Sequence, residues 1–429
     1  MARRLGVLAG RLAAIALTAG CLSSPPDATS SPGDAGPEPI RRLARPHNSH
    51  CAIRGAGALF CWGAGDGGQL GDGTGDDRAE PVAVLDGSDE PLTGVVAVTT
   101  GRNHGCAVTS DRGVTCWGSN GTGQLGDGGT ATTLRAETRV VGAEKIAMLS
   151  TFGPHTCAVD LDGGVWCWGR NDNGELGNNG LAEESLTATP MLDANVPLEG
   201  ATDVGAGEYH TCLVRSDQRV WCAGLNDAGQ LGRYPGEDFE CSRKLPRALE
   251  VLEGTYLEGA SQVAGGVGLS CAVVGDTVFC WGDPRCGQLG DGSDSNACLA
   301  RSATICDDEG ATPPVAVALG AVAPCEPVQI GAGQDYACAL CAEGQVACWG
   351  DGSLGRLGDG LELSSATPVR VAGVENAVEI AVGFRSACAL LAGGDVVCWG
   401  NGEEGQLGNG DIGLEVYSPV PVTVVGLPP

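Results

Sequence analysis

From residue 40 onward the apolar residues fall in short β-branched runs punctuated by glycine, proline, asparagine and aspartate. Beyond the first 20 residues no stretch sustains the 3.6-residue apolar period of a helix. Residues 95–128 show the unit. Val95-Val96-Ala97-Val98 is a strand-forming run, followed by Gly101-Arg102-Asn103-His104. Cys106-Ala107-Val108-Thr109 and Val114-Thr115-Cys116-Trp117 are two strands joined by the turn Ser110-Asp111-Arg112-Gly113. The loop Gly121–Gly128 is dense in residues that tolerate positive φ. A further β-branched stretch, such as Pro81-Val82-Ala83-Val84 in the first unit, completes four short strands, the content of one propeller blade.

This unit occurs seven times, its first cysteines being Cys51, Cys106, Cys157, Cys212, Cys271, Cys338 and Cys388. The second cysteines are Cys61, Cys116, Cys167, Cys222, Cys280, Cys348 and Cys398. A repeat of this length with strand content predicts an all-β fold, a seven-bladed β-propeller of four-stranded blades spanning residues 40–429. Ile40–Arg45 reads as an innermost strand, and Pro419–Val425 as an outer strand with no unit after it. The N- and C-terminal strands are therefore expected to close the ring by sharing a blade, which would remove free sheet edges.

The cysteines of each hairpin should face each other. Residues equidistant from a turn are directly opposed, with Cα atoms ~4.5–5.5 Å apart, inside the disulfide window. The fifth copy tests this: its spacing is nine rather than ten, yet Cys271 and Cys280 still oppose each other across Val273 and Val278. Zinc would need ligands converging at one point, and pairs spread round a ring do not converge. Disulfides in all seven hairpins are the expectation, and no metal. Cys241, Cys286, Cys298, Cys306, Cys325 and Cys341 remain, an even six whose pairing is open.

The N-terminus adds an address. Arg3, Arg4 and Arg11 precede or flank a short apolar run ending in Leu17-Thr18-Ala19-Gly20-Cys21. The run is too short to span a bilayer, so residues 1–20 read as a signal peptide and Cys21 as a lipidated first residue. Residues 21–39, rich in Pro, Ser, Gly and Asp, read as a disordered tether. The chain carries 53 Asp+Glu against 25 Lys+Arg, a net charge of −28. Such a balance repels phosphate backbones, so nucleic acid is not an expected partner. Export and disulfides agree with each other.

Cys-Trp-Gly followed by Gly-Gln-Leu-Gly-Asp-Gly resembles the repeat of the regulator of chromosome condensation family. The turns run from Gly68-Gln69-Leu70-Gly71 to Gly405-Gln406-Leu407-Gly408. The resemblance implies seven blades of four strands, but propellers host unrelated activities. It also implies guanine-nucleotide exchange as one possible activity, which export and disulfides separate from any cytosolic GTPase. Light sensing, also found in the family, needs tryptophans before the hairpin, where Asn103, Pro154 and Tyr209 stand.

No nucleophile elbow, zinc-protease motif or phosphate-cradling loop is present in the sequence. His104, His155 and His210 each stand two residues before a hairpin cysteine, a recurrence that predicts a structural hydrogen bond. Asp72, Asp127, Asp291 and Asp359 end the glycine turns and read as turn geometry. The long, cysteine-rich stretch Cys286–Cys325 is the first candidate for a recognition surface. The expected function is a non-enzymatic, lipid-anchored scaffold that binds a protein or glycan at a bacterial cell envelope. It is expected on the outer membrane or cell surface, as a monomer and without a cofactor. A propeller-type enzyme inhibitor, with aromatics round one channel mouth, is the alternative.

Overall fold

The computed structural model describes residues 40–427 except 181, 233–241, 249, 253–254 and 294–311. Seven four-stranded antiparallel sheets follow one another along the chain, each in simple sequential strand order. Blade 1 comprises Ile40–Leu43, Ser49–Arg54, Ala58–Gly63 and Arg78–Ala83. The inner strands of blades 2 to 7 are Val95–Thr100, Ile146–Thr151, Ala201–Ala206, Ala260–Gly265, Pro327–Ala332 and Ala377–Val382. Burial follows the position of the strand. The second strands, such as His104–Thr109, are buried on both faces because each is sandwiched between neighbouring blades, while the outer strand Arg78–Ala83 is half exposed. That is why the second strands are small and β-branched on both sides rather than alternating.

The glycine turns join blade to blade. Trp117 Nε1 donates to the carbonyl of Gln69 at 2.8 Å, Trp168 to that of Gln124 at 2.9 Å, and Trp281 to that of Gln230 at 2.9 Å. Trp349, Trp399 and Trp62 repeat the bond to Gln288, Arg356 and Gln406, each at 3.0 Å. The indole needs the turn's last glycine: a Cβ on Gly126 would stand 2.9 Å from Trp168 Cδ1, and its φ of +68° also favours glycine. The turn's glutamine closes its own loop, as where Thr122 N donates to Gln124 Oε1 at 2.8 Å. Blade 4 has Ala223 in place of tryptophan, and there Thr211 Oγ1 donates to the Glu175 carbonyl at 2.9 Å. Met191 fills the space beside Gly177.

Ring closure differs from the sequence expectation. The C-terminal strand Tyr417–Thr423 is the outer strand of blade 7, and the N-terminal strand Ile40–Leu43 is the inner strand of blade 1; no sheet contains both. The repeat begins in phase with the blade, so each blade is a continuous piece of chain and no strand is left over to share. The ring closes by packing. Ile40, Leu43 and Trp62 join Leu390, Val396 and Val424 in one buried cluster, and Gly410 N donates to the Ala79 carbonyl at 3.0 Å.

In each hairpin the cysteines are direct register partners. Their sulfurs stand at bonding distance, with Cα atoms 4.0–4.2 Å apart. In blade 5 Val273 pairs with Val278, so the shorter turn leaves Cys271 opposite Cys280. Cys325 pairs with Cys341, Cα atoms 4.9 Å apart, and Cys286 is also disulfide-bonded. Cys21, Cys241, Cys298 and Cys306 lie outside the described residues, as do the expected signal peptide, residues 1–20, and the expected tether, residues 21–39. Among the described residues no helix is long and apolar enough to cross a membrane.

Candidate functional site

The inner strands all run towards the end of the ring where the second strands begin and the third strands finish. That end, the loop face, carries the inner-to-second connections and the glycine-turn loops; the opposite end carries the hairpin turns. Between them lies a channel lined by inner strands. The third residue of four inner strands reaches across to the next blade. Asp203 Oδ2 accepts from Val263 N at 2.9 Å, and Gln262 Nε2 donates to the Val328 carbonyl at 2.8 Å. Gln329 both donates to and accepts from the Ile380 backbone at 2.9 Å, and Glu379 Oε2 accepts from Leu43 N at 3.0 Å. Burial pushes the Glu379 carboxyl above its ordinary pKa. The polar side chains of the channel are thus spent largely on joining blades.

Arg45 reaches across the channel. It follows the inner strand of blade 1, bridges to Thr99 in blade 2 and pairs with Asp203 in blade 4, Nη2 to Oδ1 at 3.1 Å. On the hairpin-turn side it bounds a vestibule of about 660 Å³ that includes Arg42, Met148, Gln262 and Glu379. On the other side it lines a chamber of about 40 Å³ with Pro46, Thr151 and Phe152.

At the loop-face mouth His47 sits between two phenylalanines. Its ring lies edge-on to Phe152 at 4.7 Å and stacked on Phe384 at 4.6 Å. Its Nε2 is 3.3 Å from Glu208 Oε2, and Glu208 Oε1 is 3.5 Å from Arg102 Nη1. Side chains from blades 1, 2, 3, 4 and 7 therefore meet at one point. Around it stand the half-exposed Tyr209, with the Arg170 guanidinium 5.0 Å from its ring centre, and Arg385 against Phe384. Sequence reading missed His47, Phe152, Glu208 and Phe384. Each occupies an inner-to-second connection whose residues differ from blade to blade, which is the only signal the sequence carried.

The sequence-selected histidines lie elsewhere and apart. His104 Nε2 bonds Thr156 Oγ1 at 2.8 Å, His155 bonds Thr211 at 2.9 Å, and His210 bonds Ser270 at 2.7 Å. Each ties one blade to the next, and at the 7–1 seam the roles reverse, with Ser386 Oγ 2.9 Å from His50 Nε2. Burial lowers the pKa values of His50, His104 and His155 to about 3 and that of His210 to about 4, so all four are neutral near pH 7. The turn aspartates accept from backbone amides two residues on, as Asp127 Oδ1 does from Gly129 N at 2.9 Å. No group of three His, Cys, Asp or Glu among the described residues is arranged to hold a metal. Residues 294–311 of the candidate recognition stretch Cys286–Cys325 lie outside the described residues.

A ring in which the same inter-blade contact recurs at six of its seven seams is a repeat propeller, in which surfaces rather than the repeat distinguish one protein from another. The chain belongs to the RCC1-like domain family, which matches residues 58–427. It is similar to the ultraviolet-B receptor UVR8 of Arabidopsis thaliana, 29% identical over 72% of this chain and 64% of that one. It is 28% identical to part of the human E3 ubiquitin-protein ligase HERC2, over 76% of this chain and 6% of the ligase. The chain thus covers less than two thirds of either relative. Among solved structures, that of Kap60 bound to yeast RCC1 (Prp20) superposes with a TM-score of 0.70 at 20% identity, covering 91% of this chain and 86% of that one. Human WBSCR16 gives 0.67 at 21% identity, covering 82% and 87%. At such identities the structural likeness concerns the fold.

Proposed function

We propose that this chain is a non-enzymatic scaffold that binds a protein partner on its loop face. The observation that carries this reading is the division of labour between positions. Repeated side chains are consumed in holding blades together, and Arg45 is committed to Asp203 across the channel. The residues that vary between blades, including Arg102, Tyr209, Phe384 and Arg385, gather on the loop face. Charged and aromatic side chains grouped at one mouth suit protein recognition. Prp20, a member of the same fold, has been crystallised in work on its binding to Gsp1p and histones, which supports protein recognition by this kind of propeller. Here the net charge of −28 argues for basic rather than acidic partners.

The scaffold is proposed to work at a bacterial cell envelope, anchored through a lipid on Cys21 and carried on the tether 21–39. Seven cross-strand cysteine pairs suit an oxidising compartment, and the anchor motif suits export. The test is capture from envelope extracts with the full chain as bait. Retention of a protein partner is expected. Turnover of a glycan would replace this reading with an enzymatic one, and nucleotide release from a captured GTPase would replace it with an exchange factor. An envelope extract that yields no partner would sink the scaffold reading.

A further inference from the structure

We propose that the glycine-turn loops of blades 6 and 7 form a docking surface for a basic, amphipathic segment of the partner protein, a refinement that rests on the scaffold reading. The corresponding loops of blades 1 and 2, Asp72–Asp77 and Asp127–Thr132, are polar and small. Blade 6 instead has Leu361-Glu362-Leu363, and blade 7 has Ile412-Gly413-Leu414-Glu415. Leu361, Leu363, Ile412 and Leu414 are 54%, 69%, 48% and 86% exposed. Single exposed leucines are ordinary, but four on two neighbouring loops are not. The loops belong together: Tyr417 OH donates to Glu362 Oε1 at 2.9 Å, and Gly360 N donates to the Pro419 carbonyl at 2.8 Å. Tyr417 and Val420, 39% and 40% exposed, extend the apolar surface between them.

Charge says what covers it. Segments 357–364 and 402–417 hold Asp359, Glu362, Glu403, Glu404, Asp411 and Glu415, and neither contains a lysine or arginine. The negative field continues into blade 1: burial and then the carboxylates of Asp77, Asp66 and Glu403 push the Glu404 carboxyl above its ordinary pKa, outweighing the opposing Arg385 guanidinium. A second copy of the chain would bring like charge against like, and an anionic bilayer or nucleic acid would be repelled. A segment with apolar anchors flanked by Lys or Arg meets both requirements, as an amphipathic helix laid into a groove does.

The test uses the full chain and a labelled amphipathic helical peptide of leucine and lysine, followed by fluorescence anisotropy. A peptide with glutamate in place of lysine is the control. Binding of the lysine peptide alone is expected, weakening as salt rises. Leu363→Asp with Leu414→Asp should weaken it by about tenfold or more, the scale of losing an anchoring contact. Asp411→Lys with Glu415→Lys should weaken it similarly, while Leu161→Asp, an exposed residue in a hairpin turn of blade 3, should leave it unchanged. All substituted side chains are exposed, so an unaltered melting temperature shows that folding is intact. Equal binding by the Leu363/Leu414 variant, equal binding of the glutamate peptide, or self-association of the chain through these loops would overturn the proposal. If that variant still captures the wild-type chain's partner from extracts, this surface fails while the scaffold reading stands.

Discussion

His104, His155, His210 and His50 show what a repeated polar residue does in a buried ring. Each accepts or donates one bond to a Ser or Thr of the adjoining blade, and burial keeps the ring uncharged. Because their folded-state pKa values lie below the unfolded value of 6.5, the unfolded chain binds more protons than the native one between about pH 6.5 and pH 3–4. Stability is therefore full above pH 6.5 and falls as the solution is acidified through that window. Glu175 and Glu379, whose carboxyls burial raises, work in the opposite direction, since the native state takes up their protons first. Four displaced imidazoles should outweigh them: the urea midpoint is expected to drop steadily from pH 7 to pH 5. A midpoint that stays level or rises would show that the histidines are not held neutral. The recurrence of histidine two places before the cysteine was visible in the sequence. Its partner was not, because the bond joins residues more than 50 positions apart in different blades.

At the scale of the element, the hairpin was the best-predicted part of the molecule. Its register follows from the turn, and the nine-residue spacing in blade 5 kept its cysteines opposed because the two-residue turn Gly275-Asp276 absorbs the missing residue while pairing runs on to Val274 and Thr277. Replacing both Cys106 and Cys116 with serine should cost about 2–3 kcal/mol, the loop-closure value for so short a loop. Guanidinium unfolding of that variant beside wild type measures it, and an unchanged midpoint would show that the bond adds nothing to the folded blade. The glycine turn was legible as a turn, but not as a socket. Only the packed structure shows that Gly126 must lack a side chain because the Trp168 indole of the next blade lies against it. Blade 4 shows the same rule by exception, since loss of tryptophan at Ala223 is met by Thr211 and Met191 from other places in the chain.

For the whole molecule, the seam between blades 7 and 1 carries the closure. Removing residues from Tyr417 onward strips blade 7 of its outer strand and takes Val422 and Val424 from the cluster that buries Trp62. The truncated chain is expected to melt well below the full chain and over a broader range, as an opened ring loses cooperativity. A melting curve that superimposes on that of the full chain would show that the seam is not needed. Fold class, blade number and the opposed cysteines could be read from the sequence, because the repeat is a local pattern and strand register depends on near neighbours. The way the ring closes, the Arg45–Asp203 pair across the channel, the His47–Glu208 contact between phenylalanines and the joining of the blade 6 and 7 loops could not. Each brings together residues far apart in the chain, and only the curvature of seven packed blades sets which of them meet.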